Sequence, residues 1–293
     1  MESAQSDYLT TKELAELLRI KERKVYDLAA NGEVPCMRVV GKLLFPRSQI
    51  LAWMAAAQSG PCTADHQPPA ILVGSHDPLL DWALRESGSG LAAFFDGSHD
   101  GLRRMAKGEA LACGLHIHED GGWNVGAVSR VLGQQPVVLV QFARRQRGLI
   151  VAAGNPHSIL GVADLAGLRF ARRQPSAASQ TLFEGLAHRE GLDMSTLQGP
   201  ATPARTEDDL ARLVQDGKAD AGLGLASVAA QLGLGFVPLV SERFDLLVWR
   251  RAWFEEPIQK LLEFARSAAF ASRAAEMQGY DVSGFGTCPF NGP

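Results

Sequence analysis

Two motifs, Gly74-Ser75-His76-Asp77-Pro78 and Gly97-Ser98-His99-Asp100-Gly101, nearly repeat each other, and each closes an apolar run that reads as a strand. A helix starting after each strand would receive Ser75 and Ser98 at its N-terminus, where a hydroxyl, backbone N–H groups and the helix dipole all favour negative charge. Two such sites can hold one anion, and His76, His99 and His116 could add N–H donors. The Ser-His-Asp order also suggests a hydrolase. However, a nucleophile, a base and an orienting acid must converge in space, which residues adjacent along the chain do not do, so no catalytic residue is assigned. Either motif alone is what an ordinary helix cap looks like; their repetition favours a ligand site.

Two further groups carry chemistry. Cys113, His116, His118 and Glu119 have zinc-ligand residue types, with the two histidines at i and i+2 on one face of a strand. No fourth-ligand spacing completes the set, so no metal is expected and a polar cleft rim is the better reading. Near the start of the chain, Lys21, Arg23, Lys24 and Tyr26 gather at the beginning of a short amphipathic segment, and Arg38, Lys42 and Arg47 flank a glycine-centred hairpin. A helix presenting the first group could meet base edges, with the second group on phosphates.

The elements that must position these residues follow from composition and pattern. The chain has 293 residues, 46% hydrophobic and 21% charged, which excludes a disordered, fibrous or disulfide-stapled protein. Cys36, Cys62, Cys113 and Cys288 are scattered, and the segment Met1 to Asp7 is polar, with no apolar run of membrane-spanning length anywhere. A cytoplasmic protein with no membrane partner is expected. The formal charge of −3 argues against nucleic-acid binding for the chain as a whole. A linker-like stretch rich in proline over residues 59–69 changes that reading. Residues 1–58 carry eight Lys/Arg against seven Asp/Glu, whereas the remainder carries 21 against 25.

In the head, residues 1–58, Thr10 stands three residues before Glu13 in a capping-box spacing ahead of Leu14, Leu17 and Leu18. A second helix is predicted over Glu22 to Ala30, then two strands about Val40-Gly41-Lys42, then a helix capped by Ser48 with Ile50, Leu51, Trp53 and Met54 inward. Helix, helix, hairpin, helix is the order of a winged helix-turn-helix. The segments Tyr8-Leu-Thr-Thr-Lys-Glu-Leu-Ala-Glu-Leu-Leu18, Lys24-Val-Tyr26, Gly32-Glu-Val-Pro35, Arg38-Val-Val-Gly-Lys42 and Phe45-Pro-Arg-Ser48 resemble the excisionase/MerR-type DNA-binding domain. That resemblance implies a helix around Arg23, Lys24 and Tyr26 in the major groove of double-stranded DNA. So small a module binds weakly alone, so a homo-oligomer on repeated half-sites is expected.

In residues 70–293, strands alternate with helices, which predicts an α/β domain with a parallel sheet and its ligand where strand ends meet helix starts. Strands are predicted at Val137 to Ala143 and, separately, at Leu149 to Ala152, with others beginning at Ala70, Leu91, Leu111, Leu168, Ala219 and Phe236. Gly74-Ser-His-Asp-Pro78, Asn124-Val125, Pro136-Val-Val-Leu-Val140, Arg147-Gly-Leu-Ile-Val-Ala-Ala-Gly-Asn-Pro156, Arg173-Gln174, Gly217-Lys-Ala-Asp-Ala-Gly-Leu-Gly224, Glu242-Arg-Phe-Asp-Leu246 and Gly279-Tyr-Asp-Val282 resemble the two-lobed domains similar to type 2 periplasmic binding proteins of the molybdate/tungstate-binding sort. The resemblance implies crossing strands near residues 138–148 and 237–248 and a ligand in the cleft. It places Ser75, His76, Ser98, His99, His116 and Asn124 on one lobe, with Arg173, Gln174, Ser176, Ser179 and Gly222 facing them. Ser176-Ala-Ala-Ser179 stands where that family has Gly-Ser-Gly-Thr. Together the two resemblances imply a transcriptional regulator that senses a small ligand, an oxyanion such as molybdate or tungstate, and needs no other cofactor. A cytoplasmic anion carrier is the alternative.

Overall fold

A computed structural model describes residues 7–56 and 68–293. The expected linker lies outside the described residues except for Pro68 and Pro69, as do Cys62 and residues 1–6 of the polar start. The chain forms two compact units, residues 1–66 and 67–293.

The first unit begins with β1 (Tyr8–Leu9) and α1 (Thr11–Leu18). Thr10 accepts from the Glu13 backbone while the Glu13 carboxylate accepts from the Thr10 backbone, so the capping box forms. Arg19, in the left-handed region at φ 54°, ends α1, and α2 (Glu22–Ala30) follows at once. Strands β2 (Met37–Val39) and β3 (Lys42–Pro46) pair antiparallel. Their two-residue turn puts Val40 at φ 47° and Gly41 at φ 79°, the left-handed pair that a tight hairpin requires. α3 (Arg47–Ala56) closes the unit over Leu9, Leu14, Val25, Phe45 and Ile50. Two details differ from expectation. The helix already includes Arg47, so Ser48 lies in its first turn, and Leu51 is exposed while Ile50 fills the core. β1 pairs with β3, turning the hairpin into a three-stranded sheet.

The second unit opens with β4 (Ile71–Gly74), α4 (Pro78–Glu86), β5 (Ala92–Phe94), α5 (Ser98–Ala106) and β6 (Ala112–Leu115). A small hairpin, β7 (His118–Glu119) and β8 (Gly122–Trp123), leads to α6 (Val125–Leu132) and the long β9 (Val137–Val151). The second lobe adds β10 (Phe170–Ala171), α7 (Ala178–Arg189), α8 (Glu207–Gln215), β11 (Ala221–Leu225) and α9 (Ala226–Gln231). The chain returns along β12 (Gly235–Trp249) to α10 (Glu256–Ala265), α11 (Ala268–Glu276), β13 (Tyr280–Asp281) and β14 (Phe290–Asn291).

The sheet order is β10-β11-β9-β12-β6-β4-β5, with β13 and β14 also on β9. β4, β5 and β6 run parallel in one lobe and β10 and β11 in the other, as βαβ units require. The whole sheet is mixed, not parallel. β9 carries the chain out of the first lobe and β12 brings it back, so these two pair antiparallel along their length, with bulges near Leu239 and between Phe244 and Asp245. They are the expected crossing strands, extended at both ends. The two strands predicted at Val137 to Ala143 and Leu149 to Ala152 are one, because the segment between them stays extended, with Arg145 and Arg147 buried on one face and Arg144 exposed on the other. Separate apolar cores fill the lobes, around Phe142, Phe244 and Phe270 in the first and around Phe170, Phe183 and Leu223 in the second.

Candidate functional site

The first wall of the site is set by glycine. β4 ends at Gly74, at φ 105°, where an added Cβ would stand 2.3 Å from the Gly114 carbonyl oxygen. This turn lets the Ser75 N–H donate to that carbonyl at 2.9 Å. Gly97, at φ 103°, makes the same kind of turn before α5 and would meet the Ser176 carbonyl with any Cβ, at 2.8 Å. The serine hydroxyls converge: Ser75 Oγ and Ser98 Oγ are 2.7 Å apart and buried, and Ser98 Oγ accepts from the His116 N–H at 3.1 Å. The two motifs are not equivalent, however. Ser98 is the first residue of α5, whereas Ser75 precedes the Asp77 cap of α4 by two residues. Asp77 is buried, and Asp100 pairs with Arg103 and Arg104.

Ser75, His76 and His116 of the first lobe face Arg173, Gln174, Ser179 and Glu207 of the second across a pocket with a cavity volume of about 10 Å³. That is room for about one water. The lobes therefore meet closely in this conformation. Arg205 pairs with Asp96 at 2.8 Å and Ser176 Oγ donates to the Asp96 carbonyl at 3.3 Å across the same mouth.

Behind the pocket lies a buried ion network that the sequence reading missed. Arg145 and Arg147, two residues apart and so on one face of β9, are both fully buried. Arg145 stands directly opposite Glu242 of β12, and its guanidinium reaches both Glu242 and Asp77. Arg147 donates to Glu242 at 2.7 Å and to Glu207 at 3.1 Å. His116 Nδ1 is 3.0 Å from Glu242, and the Tyr280 hydroxyl donates to Asp77 at 2.5 Å. With Arg173 beside Glu207 at 3.1 Å, three guanidinium groups balance three carboxylates. Burial alone would raise carboxylate pKa values, but Arg145 and Arg147 hold Glu242 well below the usual range, and Arg147 and Arg173 bring Glu207 to about 2. Burial pushes the His116 imidazole below its ordinary value despite Glu242. The Arg145–Glu242 register was the available signal: charged residues inside two otherwise apolar strands predicted to cross.

Three polar atoms beside or within this network lack a hydrogen bond: His76 Nδ1, Arg173 Nη1 and Arg145 Nη2. Arg173 Nη1 is within ion-pair distance of Glu207 but is not aligned to donate. Arg173 is otherwise held by carbonyls, Nε donating to Ala204 at 3.1 Å and Nη2 to Arg205 at 2.9 Å.

Other sequence-derived candidates lie elsewhere. The Asn124 side chain is committed to the framework, accepting from Ile117 N–H at 2.6 Å and donating to Asp245 at 2.8 Å. Gly222 is packed in β11, where an added Cβ would press on Leu210 at 2.7 Å. His99 lines a different groove with His118 and Glu119. Cys113 points into an apolar core, which raises its thiol pKa, while His116 turns to Glu242 and His118 packs edge-on against Trp123. Among the described residues no three His, Cys, Asp or Glu side chains are grouped to hold a metal.

In the first unit, Lys21 at the N-cap of α2 and Arg23, Lys24 and Tyr26 on it are exposed, and Arg38 and Lys42 are exposed on the hairpin. Arg47 is half-buried at the start of α3. Among the described residues Lys21, Arg23, Lys24, Arg38 and Lys42 form no ion pair, so their charge is available to a polyanion.

A two-lobed α/β domain with a polar inter-lobe pocket, preceded by a helix-turn-helix, is the class these features define. Residues 81–266 match the PBP superfamily domain, and residues 8–58 match a helix-turn-helix domain. The chain belongs to the PBP superfamily and carries its helix-turn-helix at the N-terminal side. It is 25% identical over 293 residues to the uncharacterized protein YvgK of Bacillus subtilis, covering 93% of this chain and 94% of the relative. A phosphate-bound substrate-binding protein of a phosphate ABC transporter from Clostridium perfringens superposes with a TM-score of 0.56 at 13% identity, over 73% of this chain and 99% of that one. PhnD1 from Prochlorococcus marinus with methylphosphonate superposes at 0.50 and 12% identity, over 75% and 94%. Among the described residues no helix is long and apolar enough to cross a membrane.

Proposed function

We propose that the protein is a cytoplasmic transcriptional regulator in which residues 1–58 bind double-stranded DNA and residues 70–293 sense a small oxyanion. The observation that carries the ligand assignment is Ser75, which lines the pocket with its Oγ 2.7 Å from that of the fully buried Ser98 behind it, facing a buried Arg173 whose Nη1 makes no hydrogen bond. A hydroxyl, the N-terminus of α5 and a guanidinium across the cleft suit a tetrahedral anion, which enters when the lobes part, since the conformation described has room there for about one water. The phosphate and methylphosphonate held by two similar folds agree with this class. Molybdate and tungstate, suggested by the sequence resemblance, are members of the same class.

The regulator reading needs the ligand to favour one arrangement of the lobes and paired heads to read that arrangement on DNA, which makes a homo-oligomer of excisionase/MerR-like heads the working form. Hydrolysis is not favoured. The serine hydroxyls bond to each other, and among the described residues no hydrogen bond joins either to a histidine ring. The test is a thermal-shift screen of molybdate, tungstate, sulfate, phosphate, methylphosphonate and small carboxylates on the full chain. An oxyanion at about a hundred times its Kd stabilises by about 2.7 kcal/mol. Ser75→Ala should remove that shift; a response confined to carboxylates, or one that Ser75→Ala leaves intact, contradicts the assignment.

A further inference from the structure

A second groove lies between the lobes, with a volume of about 450 Å³ and no lining residue in common with the serine pocket. That size falls within the roughly 300–1,000 Å³ of metabolite sites. Its first-lobe wall carries His99, Ile117, His118 and Asp120, and its second-lobe wall is α7. From α7, Thr181, Gly185 and Arg189 face it at spacings of four, one stripe of the helix.

Gly185 has no backbone reason to be glycine. It sits inside a helix, where glycine costs about 1 kcal/mol relative to alanine, and an added Cβ would meet nothing within 4 Å. The missing side chain leaves groove, not packing space. Ile117, Leu182 and Leu186 give the groove an apolar floor.

The charges around it sort by pairing. Glu119 and Arg130 satisfy each other at 2.9 Å. Arg189 on the second-lobe wall and Asp120 on the first make no ion pair or hydrogen bond among the described residues, so they lie beyond 4.0 Å of each other with the groove open to both. A simple anion would satisfy Arg189 but confront Asp120, and a simple amine would do the reverse.

We propose that this groove is a second ligand site and that it takes a small zwitterion with an apolar body, an α-amino acid. The carboxylate sits on Arg189, the ammonium on Asp120, and the side chain lies over Ile117, Leu182 and Leu186. A ligand gripping one charge from each lobe ties the lobes together, so it acts as a second effector alongside whatever fills the serine pocket. The proposal is independent of the oxyanion reading.

The experiment is a thermal-shift and calorimetric screen of the full chain against the twenty standard α-amino acids, followed by the N-acetyl and amide derivatives of the best binder. An apolar amino acid is expected to raise Tm, with each derivative binding at least tenfold more weakly. Gly185→Leu, whose Cβ meets nothing within 4 Å, should abolish the response while leaving any oxyanion response unchanged and raising the ligand-free Tm slightly, as the helix propensity of leucine over glycine requires. Asp120→Asn and Arg189→Gln should each weaken binding tenfold or more. The proposal is overturned if no amino acid binds, if the N-acetyl derivative binds as well as its parent, or if Gly185→Leu binds as wild type does. A lost oxyanion response with amino-acid binding retained would count against the serine pocket alone.

Discussion

Replacing Glu242 by glutamine removes the hub of the buried network while keeping its shape. In the native chain this carboxylate takes Nε of Arg145, Nε and Nη2 of Arg147, and His116 Nδ1, with both arginines fully buried. The variant leaves three guanidinium groups against two carboxylates. Breaking a buried ion pair on one side costs about 3–5 kcal/mol, because the surviving charge stays buried without compensation. For a unit of this size each kcal/mol is worth about 2–4 °C, so Tm should fall by roughly 6–20 °C. Denaturant unfolding of Glu242→Gln should show the loss in the transition of the second unit, with the m-value unchanged if the cause lies in the native state. Adding Arg147→Met removes one uncompensated cation, so the double variant should lose less than the sum of the single losses. A Glu242→Gln loss below about 1 kcal/mol would refute the view that this carboxylate neutralises Arg145 and Arg147.

Acid should act through Glu207. Its pKa is lowered from 4.5 to about 2, so its stabilisation is fully present above pH 4.5 and is lost as pH falls toward 2. The loss amounts to about 3 kcal/mol, and unfolding midpoints that do not fall between pH 5 and pH 2.5 would contradict it. On DNA, Arg23→Ala and Lys24→Ala should each weaken binding, and each lost phosphate contact should reduce the salt slope by about 0.9. Anisotropy titrations at several salt concentrations would show this, and an unchanged affinity in both variants would remove α2 from the interface.

The local grammar of the chain was readable because it is enforced by near neighbours. Thr10 and Glu13 cap each other, and Val40-Gly41 turns the hairpin, through contacts within a few residues. The convergence of the two serines was also legible, since the repetition of Gly-Ser at two strand ends favours a shared site over two separate caps, whereas the repeat does not show that Asp77 caps its helix while Asp100 pairs along its own. What stayed hidden depends on residues far apart. Arg145 and Glu242 are separated by 97 positions and meet only because β9 and β12 run antiparallel in one register. Read locally, Arg144 to Arg147 only interrupts the apolar pattern between two predicted strands. Asn124 and Gly222 were assigned by resemblance alone, and only the packing around each shows its side of the chain committed to the framework.

If a ligand between the lobes changes what the helix-turn-helix does, the affinity of the full chain for a promoter fragment must differ with and without the oxyanion found in the thermal screen. A coupling of 1–3 kcal/mol corresponds to a change of about 5- to 150-fold in DNA affinity, in either direction, and it should disappear in Ser75→Ala. Equal DNA affinity at zero and saturating oxyanion would mean that the ligand does not regulate DNA binding.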